Sequence, residues 1–239
     1  MRFCEVKMNY CISDIHGEYE KYRALLDKIG FSEEDSLYIL GDVVDRGRSP
    51  VAVLRDMLGR ENVYPIVGNH DLMAYLILSK LNKEVTEESV EGLLGGDLLK
   101  SLALWQSDGG DSTLEDFRSI SPAEREELVE YIGGFLPYVE LALEDGRRFL
   151  LVHAGLGGYS SERGMDDYSL SDLCQTRPEL GRVYYDEGLT VVVGHTPTIA
   201  LCGRHEVYKS GNMVFIDCAA TFGGRLACLC LETGEVVYE

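Results

Sequence analysis

Gly41-Asp42-Val43-Val44-Asp45-Arg46-Gly47 follows directly on the apolar run Leu37-Tyr38-Ile39-Leu40. The run is short and apolar, which suits a buried strand. It delivers two carboxylates and a guanidinium within five residues, at the end of the strand where ligands bind in an open α/β sheet. The same arrangement recurs on either side. Residues 9–13 run into Asp14-Ile15-His16-Gly17, and residues 63–67 into Gly68-Asn69-His70-Asp71. Further on, residues 147–152 lead to His153-Ala154-Gly155, and residues 190–193 to Gly194-His195-Thr196.

The intervening segments read as helices. Residues 18–29 place Tyr22, Leu25, Leu26 and Ile29 on one face, and Gly30 suits a C-cap. Ser49-Pro50 has the form of an N-cap and first helical position for a helix to about residue 58, and residues 72–80 continue as a third. This β-α-β-α-β-α order predicts a parallel sheet. Residues 81–135 break the rhythm and are expected to form an acidic helical insertion over the active-site face, interrupted at Gly95-Gly96 and Gly109-Gly110. Residues 138–143 and 147–152 predict a hairpin about Glu144-Asp145-Gly146. Residues 214–217, 225–231 and 236–238 read as a closing antiparallel set.

A chain of 239 residues can bury a full core as one domain, 1–239. It carries 22 Lys and Arg against 41 Asp and Glu, a net charge of −19. That excludes a nucleic-acid surface, whose affinity comes from basic residues on phosphates. An anionic substrate in one pocket remains open, because bound cations dominate local charge. Much of the acidity, at 84–91 and 115–130, reads as solvated helix faces. No stretch is apolar enough for a membrane span, and the polar N-terminus leads to the expectation of a cytoplasmic protein with no membrane partner. Seven cysteines without a Cys-x-x-Cys pair read as reduced, buried thiols, with Cys228 and Cys230 on one side of a strand.

Asp14, His16, Asp42, Asn69, His153 and His195 thus all stand at strand ends. Carboxylate, imidazole and amide donors suit manganese, iron or zinc better than a thiolate-bound metal. Taken singly, each cluster is more often a turn or a core histidine. Together, in one order and at one end of the strands, they point to a metal centre. Four of the five histidines fall in these clusters; His205 is set aside as a surface residue.

The ordered set Asp-Ile-His-Gly, Gly-Asp-Val-Val-Asp-Arg-Gly, Gly-Asn-His-Asp, His-Ala-Gly and Gly-His-Thr resembles the calcineurin-like metallophosphoesterases. It looks most like the PPP serine/threonine phosphatase branch in its short bacterial and bacteriophage form, from about Asn9 to Leu231. Trp105 with Asp108-Gly109-Gly110 and Thr113 resembles a further segment of the bacterial members, which have Asn where this chain has Asp108. The resemblance implies an α/β fold, a β-sandwich of two mixed sheets flanked by helices. It implies two divalent metal ions, manganese first, with iron, zinc, nickel or magnesium as alternatives. Asp14, His16 and Asp42 would hold one ion; Asp42, Asn69, His153 and His195 would hold the other. The ions would lie about 3.5–4 Å apart, with a hydroxide between them to attack phosphorus in line. Arg46 would hold phosphate oxygens, and His70, paired with Asp45, would protonate the leaving group. Arg177 fits a second phosphate-binding arginine, with Arg182 as runner-up. The activity implied is a phosphomonoesterase acting on phosphoserine, phosphothreonine or phosphotyrosine in proteins, or on small phosphoesters, without a regulatory subunit. The alternative is a bis(5'-nucleosyl)-tetraphosphatase, although its symmetric type usually has Gln where this chain has His16. A rival of another class is an inactive binding module, which predicts a lost ligand; none is missing. Asp71 replaces a Glu common in the family. Tyr208 falls near the place of a substrate-side tyrosine in eukaryotic members.

Overall fold

The computed structural model describes residues 7–81 and 96–239. Two five-stranded sheets face each other. By residue number, one has the strand order 236–238, 227–230, 9–12, 36–40, 63–66 and the other 139–142, 148–151, 189–193, 213–215, 208–210. In the first, β1 (Asn9–Ile12), β2 (Ser36–Leu40) and β3 (Val63–Ile66) are parallel, while β9 (Ala227–Cys230) and β10 (Val236–Tyr238) run antiparallel on the far side of β1. In the second, β4 (Val139–Ala142) forms the predicted hairpin with β5 (Arg148–Leu151), which is parallel to β6 (Leu189–Val193). β8 (Met213–Phe215) is parallel to β6 and antiparallel to β7 (Tyr208–Ser210). Both sheets are therefore mixed and flanked by helices.

The unbroken apolar runs follow from burial on both faces. Cys11, Tyr38, Leu40, Phe149, Leu151, Val192 and Val214 point between the sheets. Their neighbours Ile12, Leu37 and Ile39 point outward into the helices. On the outer side of the second sheet, Leu150, Val191, Val193 and Phe215 pack under Leu156, Leu173 and Tyr184. Pro65 is accommodated because β3 is an edge strand, and its carbonyl accepts from Leu136 N–H.

Helices α1 (Tyr19–Ile29), α2 (Pro50–Leu58) and α3 (Asn69–Leu81) lie where the sequence predicts them. Gly30 caps α1 in the left-handed conformation. Ser49 holds the N-cap position of α2 but makes no side-chain cap; Asp116 instead accepts from Val51 N–H. Helix α3 begins three residues earlier than expected, so Asn69 and His70 stand on its first turn rather than in a loop.

The 81–135 segment, expected over the active-site face, is described in part. Residues 82–95, including Gly95 and the acidic run at 84–91, lie outside the described residues. The rest forms α4 (Gly96–Trp105), a π-type turn (Gln106–Gly110), α5 (Asp111–Arg118) and α6 (Pro122–Gly133). Trp105, Leu114, Phe117, Leu128 and Ile132 join the core that covers the first sheet, so these described helices complete the helical layer. Among the described residues of the segment, the stretch from Trp105 to Thr113 reaches the active-site face. The strands expected as one closing antiparallel set also divide. Met213–Phe215 enters the second sheet parallel to β6, while β9 and β10 edge the first. α7 (Leu170–Cys174) and α8 (Thr198–Cys202) complete the described helices.

Candidate metal centre

The turns that follow β1, β2, β3 and β6 meet in a cavity of about 360 Å³, with Arg177 on its wall. A ladder of backbone bonds ties the first two together. Asp14 N–H donates to Gly41 O (3.0 Å), His16 N–H to Asp42 O (2.9 Å) and Gly47 N–H to His16 O (2.9 Å). The turns are sharp enough that Asp14, His16, Asp42, Asp45, Arg46, His195 and Ala219 all take positive φ, between 46° and 72°. Among the described residues only one other non-glycine, Tyr185, does so. Such strain clusters where a particular side chain is needed at a turn. Asp71 fastens the turns from below. Buried at the start of α3, it accepts from Asp42 N–H (2.8 Å), Val43 N–H (2.9 Å) and Gly68 N–H (2.9 Å). Gly68 packs so tightly on Asp42 that a Cβ there would collide with the Asp42 carboxylate.

The ring orientations are fixed by carbonyls, which only accept. His16 Nδ1–H donates to Val44 O (2.8 Å) and His153 Nδ1–H to Leu40 O (2.6 Å), so both turn Nε2 toward Asp42. His16 Nε2 lies 3.6 Å from Asp42 Oδ2, and His153 Nε2 lies 3.4 Å from Asp42 Oδ1. Asn69 Oδ1 lies 3.2 Å from His153 Nε2 and 2.9 Å from His195 Nδ1. Lone pairs thus converge, and they call for a positive charge among them. Burial opposes a charged His153, yet Asp42 outweighs it and lifts the ring to about 10. A metal ion would serve in place of that proton. Burial, with the nearby Arg46 charge, holds His16 neutral, down to about 3. Two sets of side chains could hold an ion, His16/Asp42/His70 and Asp42/His153/His195, and they share Asp42. The donor set fits divalent metals of the borderline class. Asp14 lines the same cavity outside these two sets, with its carboxylate accepting from His195 N–H (3.0 Å). Burial and the neighbouring Asp217 push Asp14 well above the ordinary carboxylate range.

Asp45 is fully buried and does not pair with Arg46, the adjacent cation. Its Oδ2 accepts from His70 Nδ1–H (2.8 Å) and Trp105 Nε1–H (2.7 Å), and its Oδ1 accepts from Thr113 Oγ1–H (2.6 Å). Burial disfavours a charged His70, but the Asp45 hydrogen bond outweighs it and raises the ring above its usual value. Arg46 lies across the cavity, with Nη1 2.6 Å from His16 Nε2 and Nη2 2.7 Å from His70 Nε2. An Arg46 N–H turned to His70 opposes a proton there until the guanidinium swings to another acceptor. Arg46 also pairs with Asp108 at 3.2 Å. Gly109, at φ +103°, lets the backbone close on the Arg46 stem, where Arg46 N–H donates to Gly109 O (2.9 Å). Arg182 lies elsewhere, paired with Glu179 and set over Tyr159.

Three expectations concern residues away from the metal-binding atoms. His205 is half-buried rather than a surface residue, with Nδ1 3.1 Å from Cys218 O. Tyr208 opens β7 and packs on Phe215 (6.1 Å between centroids), away from the cavity lining. Of the described cysteines, Cys11, Cys174, Cys218, Cys228 and Cys230 are buried and Cys202 is half-buried, all as free thiols. Sequence reasoning misses Asp217 and Phe222, both on the cavity wall. Asp217 is buried, raised to about 6 by burial, and accepts from Ala219 N–H (2.9 Å). It follows an apolar strand like the other site residues, and that signal could have found it. Phe222 carries none.

A family model described as calcineurin-like phosphoesterase matches residues 10–228. A protein of Wigglesworthia glossinidia brevipalpis named symmetrical bis(5'-nucleosyl)-tetraphosphatase is 33% identical over 41% of this chain, which spans only 36% of that relative. A protein of the same name from Cellvibrio japonicus (strain Ueda107) is 26% identical over 95% of this chain and 97% of its own length. Among solved structures, one assigned provisionally as a diadenosine tetraphosphatase superposes with a TM-score of 0.63 at 18% identity, covering 99% of this chain and 94% of that one, and so shares the fold. Among the described residues, no helix is long and apolar enough to cross a membrane. With the family model covering most of both sheets and every strand end that bears a candidate ligand, the chain belongs to the calcineurin-like phosphoesterases.

Proposed function

We propose that the chain is a metal-dependent phosphohydrolase that splits symmetric dinucleoside tetraphosphates into two nucleoside diphosphates. The observation that carries this choice of substrate is the near end-to-end match to the Cellvibrio japonicus protein of that name. Two divalent ions, held by Asp14, His16 and Asp42 and by Asp42, Asn69, His153 and His195, would supply Lewis acidity and positive charge beside the scissile phosphorus. The two oxygens of Asp42 face different histidines, which suits a carboxylate shared between sites. Arg46 and Arg177 both line the cavity, where their planar forks would meet the equatorial phosphate oxygens. When Arg46 turns to phosphate, His70 Nε2 is freed to hand a proton to the departing oxygen, while Asp45 holds Nδ1–H. Water adds to one phosphorus, the P–O–P bond breaks, and a nucleoside diphosphate leaves.

The second reading is a protein serine/threonine phosphatase. It is favoured by His16, where the symmetric tetraphosphatases usually have Gln, and by the Trp105–Thr113 segment, which resembles the bacterial phosphatases. The test is kcat/KM of Mn²⁺-loaded protein on diadenosine tetraphosphate and on phosphoserine peptides. A tenfold preference for the dinucleotide is expected; a tenfold preference for peptides overturns the proposal. Failure on both, and on para-nitrophenyl phosphate, would make the chain a binding module.

A further inference from the structure

One wall of the cavity differs in character from the rest. Beside the carboxylates and imidazoles, its lining includes Pro197, Ala219, Ala220 and Phe222. Phe222 is 63% exposed, an unusual state for so large an apolar ring. Single exposed apolar residues are common on protein surfaces. This one faces the metal-binding cavity, with its centroid 5.2 Å from the Arg46 guanidinium carbon.

Nor does the exposure come from a loose loop. Phe222 ends a short 3₁₀ turn (Ala220–Phe222) flanked by left-handed Ala219 (φ 60°) and Gly223 (φ 79°). The turn is anchored at both sides. Ala219 N–H donates to the buried Asp217 carboxylate (2.9 Å), Phe222 N–H to Ala219 O (3.0 Å) and Gly224 N–H to Ala219 O (2.9 Å). Lys21 Nζ, from α1, donates to Ala220 O (2.6 Å). The backbone beneath the ring is therefore fixed, and it holds a flat apolar face at the rim of an anionic-substrate site. Rigid aromatic surfaces of this kind bind planar partners with little entropic cost.

We propose that Phe222 is the stacking platform for the nucleobase of the substrate. This rests on the dinucleoside reading above. A phosphate held by Arg46 carries its nucleoside outward, along the wall that ends at Phe222. The ring then selects nucleotides over base-free phosphates. Base–aromatic stacking is sequence-tolerant, so purine and pyrimidine nucleotides are both accepted.

The test is calorimetric binding of ADP and of pyrophosphate to the full chain in Mn²⁺, alongside hydrolysis of diadenosine tetraphosphate. Wild type is expected to bind ADP at least tenfold more tightly than pyrophosphate. Phe222→Ala and Phe222→Leu should reduce that ratio about tenfold, and Phe222→Trp should keep it. A purely structural effect, through a loosened Arg46, would weaken both ligands alike and leave the ratio unmoved, which overturns the proposal. A wild type that shows no preference for ADP also overturns it. A wild type that cleaves the dinucleotide while Phe222→Ala keeps the full ADP preference sinks the platform and leaves the function reading standing. A wild type that does not cleave the dinucleotide, but whose ADP preference Phe222→Ala removes, sinks the function reading and supports the platform.

Discussion

Thr113→Val tests whether Thr113 holds the turn at Asp45 or merely lies beside it. Thr113 Oγ1 does two things at once. It donates to Asp45 Oδ1 (2.6 Å) and accepts from Asp45 N–H (2.9 Å), with both residues fully buried. Valine keeps the shape and removes both bonds. Losing a hydrogen bond to a buried carboxylate costs about 1.5–3 kcal/mol, and orphaning a buried N–H costs about 1–3 kcal/mol. The two share one oxygen and are not fully additive, so a total of about 3 kcal/mol is expected. In a domain of this size that is a fall in Tm of about 6–12 °C. Thr113→Ser, which restores the hydroxyl, should recover most of it. The effect should also reach the chemistry, because the other oxygen of Asp45 holds His70 and Trp105. Differential scanning calorimetry of the three proteins, with kcat measured in parallel, is sufficient. A Tm within about 2 °C of wild type, less than the smallest shift worked above, with unchanged kcat, would show that Trp105 and His70 alone secure Asp45, and would refute the reasoning.

Saturating Mn²⁺ at a hundredfold over its Kd should stabilise the fold by about 2.7 kcal/mol, or roughly 5–11 °C in Tm. Asp42→Asn should abolish that shift along with activity, because it removes the charge shared by both ligand sets; a retained shift contradicts a shared carboxylate. Gly68→Ala should do the same without replacing a ligand, since its methyl collides with the Asp42 carboxylate; metal content by elemental analysis decides. His70→Asn should keep both metals and lower kcat by about 10²–10⁴ on a phosphoserine peptide. The loss should be smaller on diadenosine tetraphosphate, whose diphosphate leaving group needs less help from an acid than an alkoxide does. Equal losses on both substrates would remove His70 from the leaving-group side.

How much is legible in the sequence depends on where each signal resides. The strand cores are legible because burial on both faces leaves an unbroken apolar run, as in Leu37–Leu40 and Val191–Val193. The candidate metal-binding side chains stand out because each follows such a run. The pairing of Met213–Phe215 is not: a three-residue strand looks the same whether its partner is β6 or β9. The docking of the 96–133 helices is also hidden. Their acidic faces mark solvent, but nothing local tells Trp105 to turn its N–H toward Asp45, sixty residues back. His205 reads as a surface residue because its partner, Cys218 O, is a backbone atom without a sequence signature.

The left-handed residues carry the strongest lesson about how such a site is built. Glycine is the expected marker of a tight turn. Yet beside Gly17 and Gly41 the left-handed positions of these turns are held by Asp14, His16, Asp42, Asp45, Arg46 and His195, each at a cost of roughly 1–2 kcal/mol against a right-handed conformation. Glycine would remove that cost and also the side chain that the cavity needs. Asp45 and Arg46 are left-handed in succession, so their side chains diverge: one goes down to Trp105, Thr113 and His70, the other across to His16 and Asp108. An ordinary strand end would also have separated them, but would have left them free to pair with solvent. What holds the strained pair is the insertion, through Thr113 Oγ1 on Asp45 N–H and Gly109 O on Arg46 N–H. The seven-residue stretch is therefore not self-sufficient. Its conformation is completed by residues 105–113, and a chain that kept Gly41–Gly47 but lost that segment would keep the ligands while losing the aim of Arg46 and His70.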